Sequence, residues 1–222
     1  NSVKKILKLF KSNNVESIVM AGDINRPSLK DLSFDLQTIK LPKNLLINKT
    51  GDNDLLVSIK KFFNENGFQY FNWRDHCIDL FANEIHLTHN KPSKLAKKNL
   101  DKALSIFKNY GKLDLGQSMI IQNQIILGLE AVEGTDNLIK RCNELKKKGD
   151  KGILVKLSKY NQSDIIDIPT IGLETIRLLK EYNYEGVYLE SSNCIILDKQ
   201  KTINFANQNN LFISNCYKIE QK

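Results

Sequence analysis

No apolar run in this chain of 222 residues approaches the ~18–20 residues that cross a bilayer, and no signal-peptide pattern opens it. The expectation is a cytoplasmic protein, with peripheral contact at the inner membrane left open. Cysteine is scarce. Cys77, Cys142, Cys194 and Cys216 stand far apart with no CxxC pair, which excludes both a zinc-ligand set and a disulfide framework. Reduced, partly buried thiols are expected instead. Histidine is scarcer still, with only His76, His86 and His89. His86 and His89 could share one helical face, but nothing nearby completes a transition-metal set, so ordinary surface or linker is the better account. No internal repeat or low-complexity tract stands out.

Enough apolar residues are present, 41% of the chain, for one large domain or two small ones. Charged residues, at 26%, are near the average for a folded protein, so disorder is not the default. The net charge of +8 would attract polyanions. Heavy use of Lys, Asn and Ile together points to composition bias rather than a nucleic-acid footprint, because aromatics are not interleaved with the basic clusters. The run Lys146-Lys147-Lys148 is expected to close a helix, where cations suit the dipole.

Periodicity gives the organisation. Helices are predicted over Val3–Lys11 and Asp54–Asn66, each followed by a short strand, Ser17–Met20 and Gly67–Phe71. Helix–strand alternation at this spacing means a parallel sheet. The stretch His86 to Ser93 is the expected boundary, with Ser93 capping a helix to about Tyr110. Beyond it, Met119-Ile120-Ile121 and Ile125-Ile126-Leu127 read as a β-hairpin around Gln122-Asn123-Gln124. A helix from Thr135 to about Lys148 follows, then a strand Gly152–Lys156 and a polar segment ending in a turn at Pro169-Thr170-Ile171-Gly172. Next come a helix Leu173–Tyr182, strands Gly186–Glu190 and Cys194–Leu197, a helix Lys199–Asn209 and a strand Leu211–Ile213. The expected fold class is α/β in two domains: a Rossmann-like parallel-sheet domain over 1–89 and a mixed α/β domain over 90–222.

Three segments concentrate functional groups where strands give way to loops. In Glu130-Ala131-Val132-Glu133-Gly134-Thr135-Asp136, carboxylates leave a strand and Gly134-Thr135 opens a helix. Free amides there favour a phosphate, and carboxylates beside it can hold Mg²⁺. Simple capping, with Thr135 as N-cap, explains the same residues equally well. In the second segment, Lys156 and Lys159 leave a strand and precede Asp164 and Asp167. Cations and carboxylates on one strand-end loop suit a metal–diphosphate complex, although a polar surface loop is the plainer reading. The third lies in the first domain, where Met20-Ala21-Gly22 and Arg26 are joined by Gly51-Asp52 at strand-end and helix-start positions.

Taken together, these segments resemble the LpxI-type UDP-2,3-diacylglucosamine pyrophosphatases of lipid A biosynthesis. The matching phrases are Val19-Met20-Ala21-Gly22 with Arg26-Pro27-Ser28-Leu29, Gly51-Asp52, Asp114-Leu115-Gly116-Gln117, Glu130 to Asp136, Val155-Lys156 and Asp167-Ile168-Pro169-Thr170-Ile171-Gly172, in the family's order. The resemblance implies hydrolysis of UDP-2,3-diacylglucosamine to UMP and 2,3-diacylglucosamine 1-phosphate, with Mg²⁺ as cofactor. It implies catalytic roles for Asp167, Lys156 and Glu133, and metal contacts from Asp167, Asp136 and Glu133. Gly22, Arg26, Gly51, Asp52, Gln117, Gly134, Thr135, Lys159 and Thr170 are the implied substrate-binding residues. A homo-oligomer is compatible with all of this.

Two departures from the family pattern stand out. The family's loop phrase Lys-Pro-Gly-Gln-Asp reads Lys159-Tyr160-Asn161-Gln162-Ser163 here, so Ser163 stands in place of the aspartate, and substitution by the following Asp164 is left open. A Gly-rich strand–turn–helix that opens family members is also expected to be missing from this chain. The alternatives are a non-catalytic remnant that binds a nucleotide sugar and a basic nucleic-acid-binding protein. Glu130, Glu133, Asp136, Asp164 and Asp167 count against nucleic acid, because strand-end carboxylates repel a polyanion unless a metal intervenes.

Overall fold

The computed structural model describes residues 3–22, 52–111, 115–159 and 168–217. They fall into two compact units, one up to His76 and one from Cys77 onward. The first unit runs α1 (Val3–Ser12), β1 (Ser17–Ile18), α2 (Asp52–Glu65) and β2 (Gln69–Tyr70). Its two strands pair in parallel, Ser17 with Gln69 and Ile18 with Tyr70, as the helix–strand alternation predicts. The strands are shorter than the apolar runs that suggested them. Phe68 is buried, and its ring lies 5.5 Å from that of Phe10 and 6.2 Å from that of Phe63, edge to face in both cases.

After two 3₁₀ turns, Arg74–His76 and Ile78–Leu80, the second unit builds its main sheet. Its elements are α3 (Lys94–Tyr110), β3 (Ser118–Gln122), β4 (Ile125–Leu129), α4 (Thr135–Asn143) and β5 (Ile153–Lys156), then β6 (Thr170–Ile171), α5 (Leu173–Glu181), β7 (Gly186–Glu190), β8 (Ile195–Ile196), α6 (Lys199–Gln208) and β9 (Phe212–Cys216). Strand order is β4-β3-β5-β7-β9. The β4–β3 and β3–β5 pairs are antiparallel, whereas β5–β7 and β7–β9 are parallel. No helix among the described residues is long and apolar enough to cross a membrane.

Both faces of this sheet are covered, which is why its strands read as continuous apolar runs rather than alternating ones. Ile120, Leu154, Val187, Leu189 and Ile213 pack with Leu138 and Ile139 of α4, Ile176 and Leu179 of α5 and Ala206 of α6. Met119, Ile121, Ile153, Val155, Tyr188 and Phe212 pack with Ala96, Ala103 and Phe107 of α3. The predicted hairpin forms, with Asn123 and Gln124 at left-handed φ of 53° and 60° in its two-residue turn. Asn99 on α3 accepts from Gln124 N at 2.7 Å, and Asp150 accepts from Asn123 N at 2.9 Å, so the turn is fastened from two sides.

Three local readings need correction. Helix α4 stops at Asn143, and the lysine run lies beyond it. Lys146 instead donates to the carbonyls of Tyr182 (2.8 Å) and Asn183 (2.9 Å), so its charge serves the end of α5. Pro169 to Gly172 is not only a turn, because Thr170–Ile171 pairs in parallel with β8 in a small second sheet. His86 and His89 lie on no helix. The His86 ring Nδ1 is 2.9 Å from Ser214 Oγ, and the stretch around it runs beside β9 through Leu87 N to Ile213 O.

Ser93 caps α3 as its position suggests, accepting from Ala96 N at 3.1 Å. Its own N–H and hydroxyl both donate to the Glu185 carboxylate, at 2.7 and 2.9 Å. Ser93→Ala removes the cap and one charge-assisted hydrogen bond together, and is expected to destabilise by about 1–2 kcal/mol in urea unfolding followed by circular dichroism. An unchanged midpoint would mean that α3 is held by packing alone.

Candidate functional site

The site begins with strand direction. Because β3 runs against β5, the first residue of β3 lies beside the last of β5, and Ser118 is paired with Lys156. The far end of β4 returns to the same edge, where Glu130 N donates to Ser118 O at 2.8 Å. A short loop then starts α4 at Thr135. This edge is the carboxyl end of the parallel strands, the position where open α/β sheets place ligands.

Lys156 is 4% exposed and continues the face of Leu154, toward α4. Its ammonium donates to Thr135 Oγ1 at 2.6 Å and to Ser118 Oγ at 3.1 Å. The Glu130 carboxylate is close, with Oε2 at 3.8 Å, but does not take a hydrogen bond from it. Thr135 gives its single proton to Glu130 Oε1 at 2.8 Å, so it meets Lys156 as an acceptor. Gln117 N completes the set by donating to Glu130 Oε2 at 3.0 Å. Two of the three ammonium protons are thus donated to hydroxyls, and the third is donated to no described residue.

Burial alone would raise the Glu130 carboxyl, but the Lys156 charge, the Ser118 and Thr135 hydroxyls and the Gln117 amide outweigh it and hold it below its ordinary value. Two glycines make this closeness possible. A Cβ on Gly116 would meet Glu130 O at a forbidden distance, so only glycine lets the chain before β3 lie against Glu130. Gly134 is the N-cap of α4 with φ of 77°, a left-handed conformation natural to glycine. Thr135 is therefore not the cap. Its hydroxyl is turned to Lys156 and Glu130 instead.

The other predicted residues are dispersed. Glu133 is tied to Arg141, whose Nη2 lies 2.6 Å from Oε1, and its second oxygen accepts from Ala131 N at 3.1 Å. Its pKa is also lowered: burial works against the ionised form, and the Arg141 hydrogen bond and backbone donors prevail. Asp136 accepts from Thr175 Oγ1 of α5 at 2.8 Å. Thr170, the first residue of β6, donates its hydroxyl to Ile168 O at 3.0 Å. Lys159 is half-buried beyond the end of β5. Gly22, with φ of 113°, and Asp52, the first residue of α2, belong to the first unit. Arg26, Gly51, Asp164 and Asp167 lie outside the described residues. Among the described residues no group of three or more His, Cys, Asp or Glu side chains is placed to hold a metal ion.

Three residues of this edge were not singled out by sequence. Ser118 is a small polar residue in a buried strand. Glu130 was one of several carboxylates in line, and only register separates it from Glu133. Glu190 ends β7 and is 6% exposed. Its Oε2 accepts from Ser158 N and Ser158 Oγ, both at 2.7 Å, and its Oε1 accepts from Asn193 Nδ2 at 2.9 Å. A carboxylate closing the buried run Gly186-Val187-Tyr188-Leu189 was the available signal.

Comparison with known proteins gives two family matches that divide the chain. The LpxI N-terminal domain matches residues 1–80 and the LpxI C-terminal domain matches residues 83–214. A Caulobacter vibrioides protein named UDP-2,3-diacylglucosamine pyrophosphatase LpxI is 27% identical over 216 residues, covering 94% of this chain and 77% of the relative.

Because Glu130 titrates lower in the folded chain than its ordinary 4.5, its stabilising contribution is present above that pH and is lost as pH falls through the depressed value. The melting temperatures of the wild type and Glu130→Gln should therefore differ most near neutral pH and converge on acidification below about 4.5. A gap that stays constant with pH would mean that Glu130 carries no charge-dependent stability.

Proposed function

The chain belongs to the LpxI family, and on that footing we propose that it hydrolyses the diphosphate of UDP-2,3-diacylglucosamine, releasing UMP and 2,3-diacylglucosamine 1-phosphate for lipid A biosynthesis. The observation that carries this reading is the buried Lys156 ammonium, held between Ser118, Thr135 and Glu130 at the start of α4. Its remaining proton suits a non-bridging phosphoryl oxygen. The first-turn amides of α4 have no partners within the helix and would add donors on the same side.

Water attacks one phosphorus, the bridging P–O bond breaks, and the leaving phosphate oxygen takes the electron pair. Charge gathers on the phosphoryl oxygens in that transition state. A fixed, desolvated ammonium meets it without reorganisation. Glu130 accepts from the Gln117 amide and the Thr135 hydroxyl and lies 3.8 Å from the Lys156 ammonium, so it serves as the counter-charge of Lys156 rather than as a general base. Orientation or deprotonation of the water is assigned to Asp167 by family position.

The described carboxylates do not make a magnesium site. Glu133 faces Arg141 and Asp136 faces Thr175, and neither joins Glu130 in a ligand set. No step is therefore assigned to a metal. A magnesium requirement is proposed on the family position of Asp167 alone.

Lys156→Met should lower kcat/KM by about 100- to 1,000-fold, the usual loss for one donor aimed at developing negative charge. It also leaves Glu130 buried without its cation. The double variant Lys156→Met/Glu130→Gln removes that conflict, and should regain melting temperature without regaining turnover. Recovery of both would reduce Lys156 to a structural partner. Asp167→Ala should abolish hydrolysis with the melting temperature kept, and excess chelator should do the same to the wild type. Full turnover in either case would move the chemistry away from Asp167 or away from the ion.

A further inference from the structure

We propose that Glu190 is a positioning residue for Lys156, fixing the exit of β5 from the side of the sheet opposite the Ser118–Thr135–Glu130 cradle. Its catalytic consequence rests on the hydrolase reading above, but its geometric basis does not. Along β7, Tyr188 packs toward α3 and Leu189 toward α4, so alternation sets Glu190 on the α3 side. Lys156 belongs to the α4 side. The two charged residues therefore hold the same strand end from its two faces.

The backbone ladder between β5 and β7 ends at the Lys156–Leu189 pair. Immediately after it, Leu157 N donates to Gln117 O at 2.9 Å, toward β3. Ser158 turns the other way and gives both its N–H and its hydroxyl to Glu190 Oε2, each at 2.7 Å. A side-chain carboxylate thus takes the place of the next ladder bond and lets the chain leave the sheet with a fixed direction. The carboxylate is itself anchored. Asn193 Nδ2 donates to its Oε1 at 2.9 Å, and the turn carrying Asn193 is tied down by Ser191 N to Cys216 O and Ser192 N to Ala82 O, both at 2.9 Å.

A buried carboxylate is an expensive way to stabilise a strand end, since desolvation offsets much of what its hydrogen bonds return. What short charge-assisted bonds do supply is exact placement. Placement matters here because, among the described residues, Lys156 is steered by two hydroxyl hydrogen bonds and the more distant Glu130 charge, and an error of about 1 Å in a catalytic group can cost about 100-fold. Loosening Ser158 would let the end of β5 shift and carry the ammonium with it.

The test is a double-mutant cycle between Glu190→Gln and Lys156→Met, read on kcat/KM for UDP-2,3-diacylglucosamine and on the affinity for inorganic pyrophosphate by calorimetry. Glu190→Gln keeps the size of the side chain and removes one charge-assisted acceptor. Alone, it should lower kcat/KM by about 10- to 100-fold. In the Lys156→Met background it should have almost no further effect, because a residue that acts through Lys156 has nothing left to position. Equal losses in both backgrounds would assign Glu190 a purely structural role and overturn the proposal, as would wild-type kcat/KM in Glu190→Gln. Ser158→Ala, which removes only the hydroxyl contact, gives a milder variant if Glu190→Gln folds poorly, and the same non-additivity is required of it. If the wild type does not turn over, the hydrolase reading fails by itself. The pyrophosphate cycle then decides the role of Glu190: non-additive losses of affinity support it, and additive losses or none overturn it.

Discussion

A lysine buried at the end of a strand sets the terms for everything around it. An ammonium out of water must be given hydrogen-bond acceptors and a counter-charge, or it will not stay charged and buried. Lys156 finds its acceptors in Ser118 and Thr135 and its counter-charge in Glu130. Each partner comes from a different element, so β3, the end of β4 and the start of α4 must all meet at one point. The antiparallel pairing of β3 with β5 places Ser118 there, and the return of β4 brings Glu130. Gly116 and Gly134 supply the close approach and the left-handed turn without which Glu130 and Thr135 would stand too far away.

The same requirement explains which parts of the fold were legible in sequence. The helices, the hairpin and β7 were readable because their patterns are local: apolar residues at helical spacing, or a run between turn residues. The lysine run at 146–148 misled because charge near a helix end is a real signal, but it does not say which helix. Lys146 lies beyond the end of α4 in sequence and at the end of α5 in space. The strand at Ile195–Ile196 was read from sequence, but its partner β6 was missed for a related reason, since the two residues at Thr170 find their partners far along the chain at Ile195. Such short non-local pairs leave no periodicity to detect.

For the candidate site, the residue types were legible and their pairing was not. Lys156, Gly134 and Thr135 stood out at strand and helix ends, and the structure brings all three together. Glu130 and Glu133 are only three positions apart on one irregular loop, where neither helical nor strand periodicity tells which one turns inward. Register decides it: Glu130 N is the continuation of the β3–β4 pairing, whereas Glu133 follows the turn and meets Arg141. The cysteines were easier. Cys142, Cys194 and Cys216 are buried free thiols, and burial pushes Cys194 up to about 12 and Cys216 up as well, so they remain neutral and serve as small apolar side chains.

The balance of charge at the sheet edge also bears on selectivity. The whole chain carries +8, yet at Lys156 the positive charge is already opposed by Glu130 across 3.8 Å. Such a lysine exerts little pull at a distance, because the pair looks nearly neutral beyond its own dimensions. At contact the situation reverses. The Glu130 oxygens are taken up by Thr135 and the Gln117 amide, and the remaining ammonium proton is free of a hydrogen bond to any described residue. Within the proposed reaction, a ligand that places a phosphoryl oxygen at hydrogen-bond range gains a strong interaction, whereas a merely anionic one passing at a distance gains little. Selectivity then comes from the geometry that brings a diphosphate to that proton, and not from the basic composition of the chain.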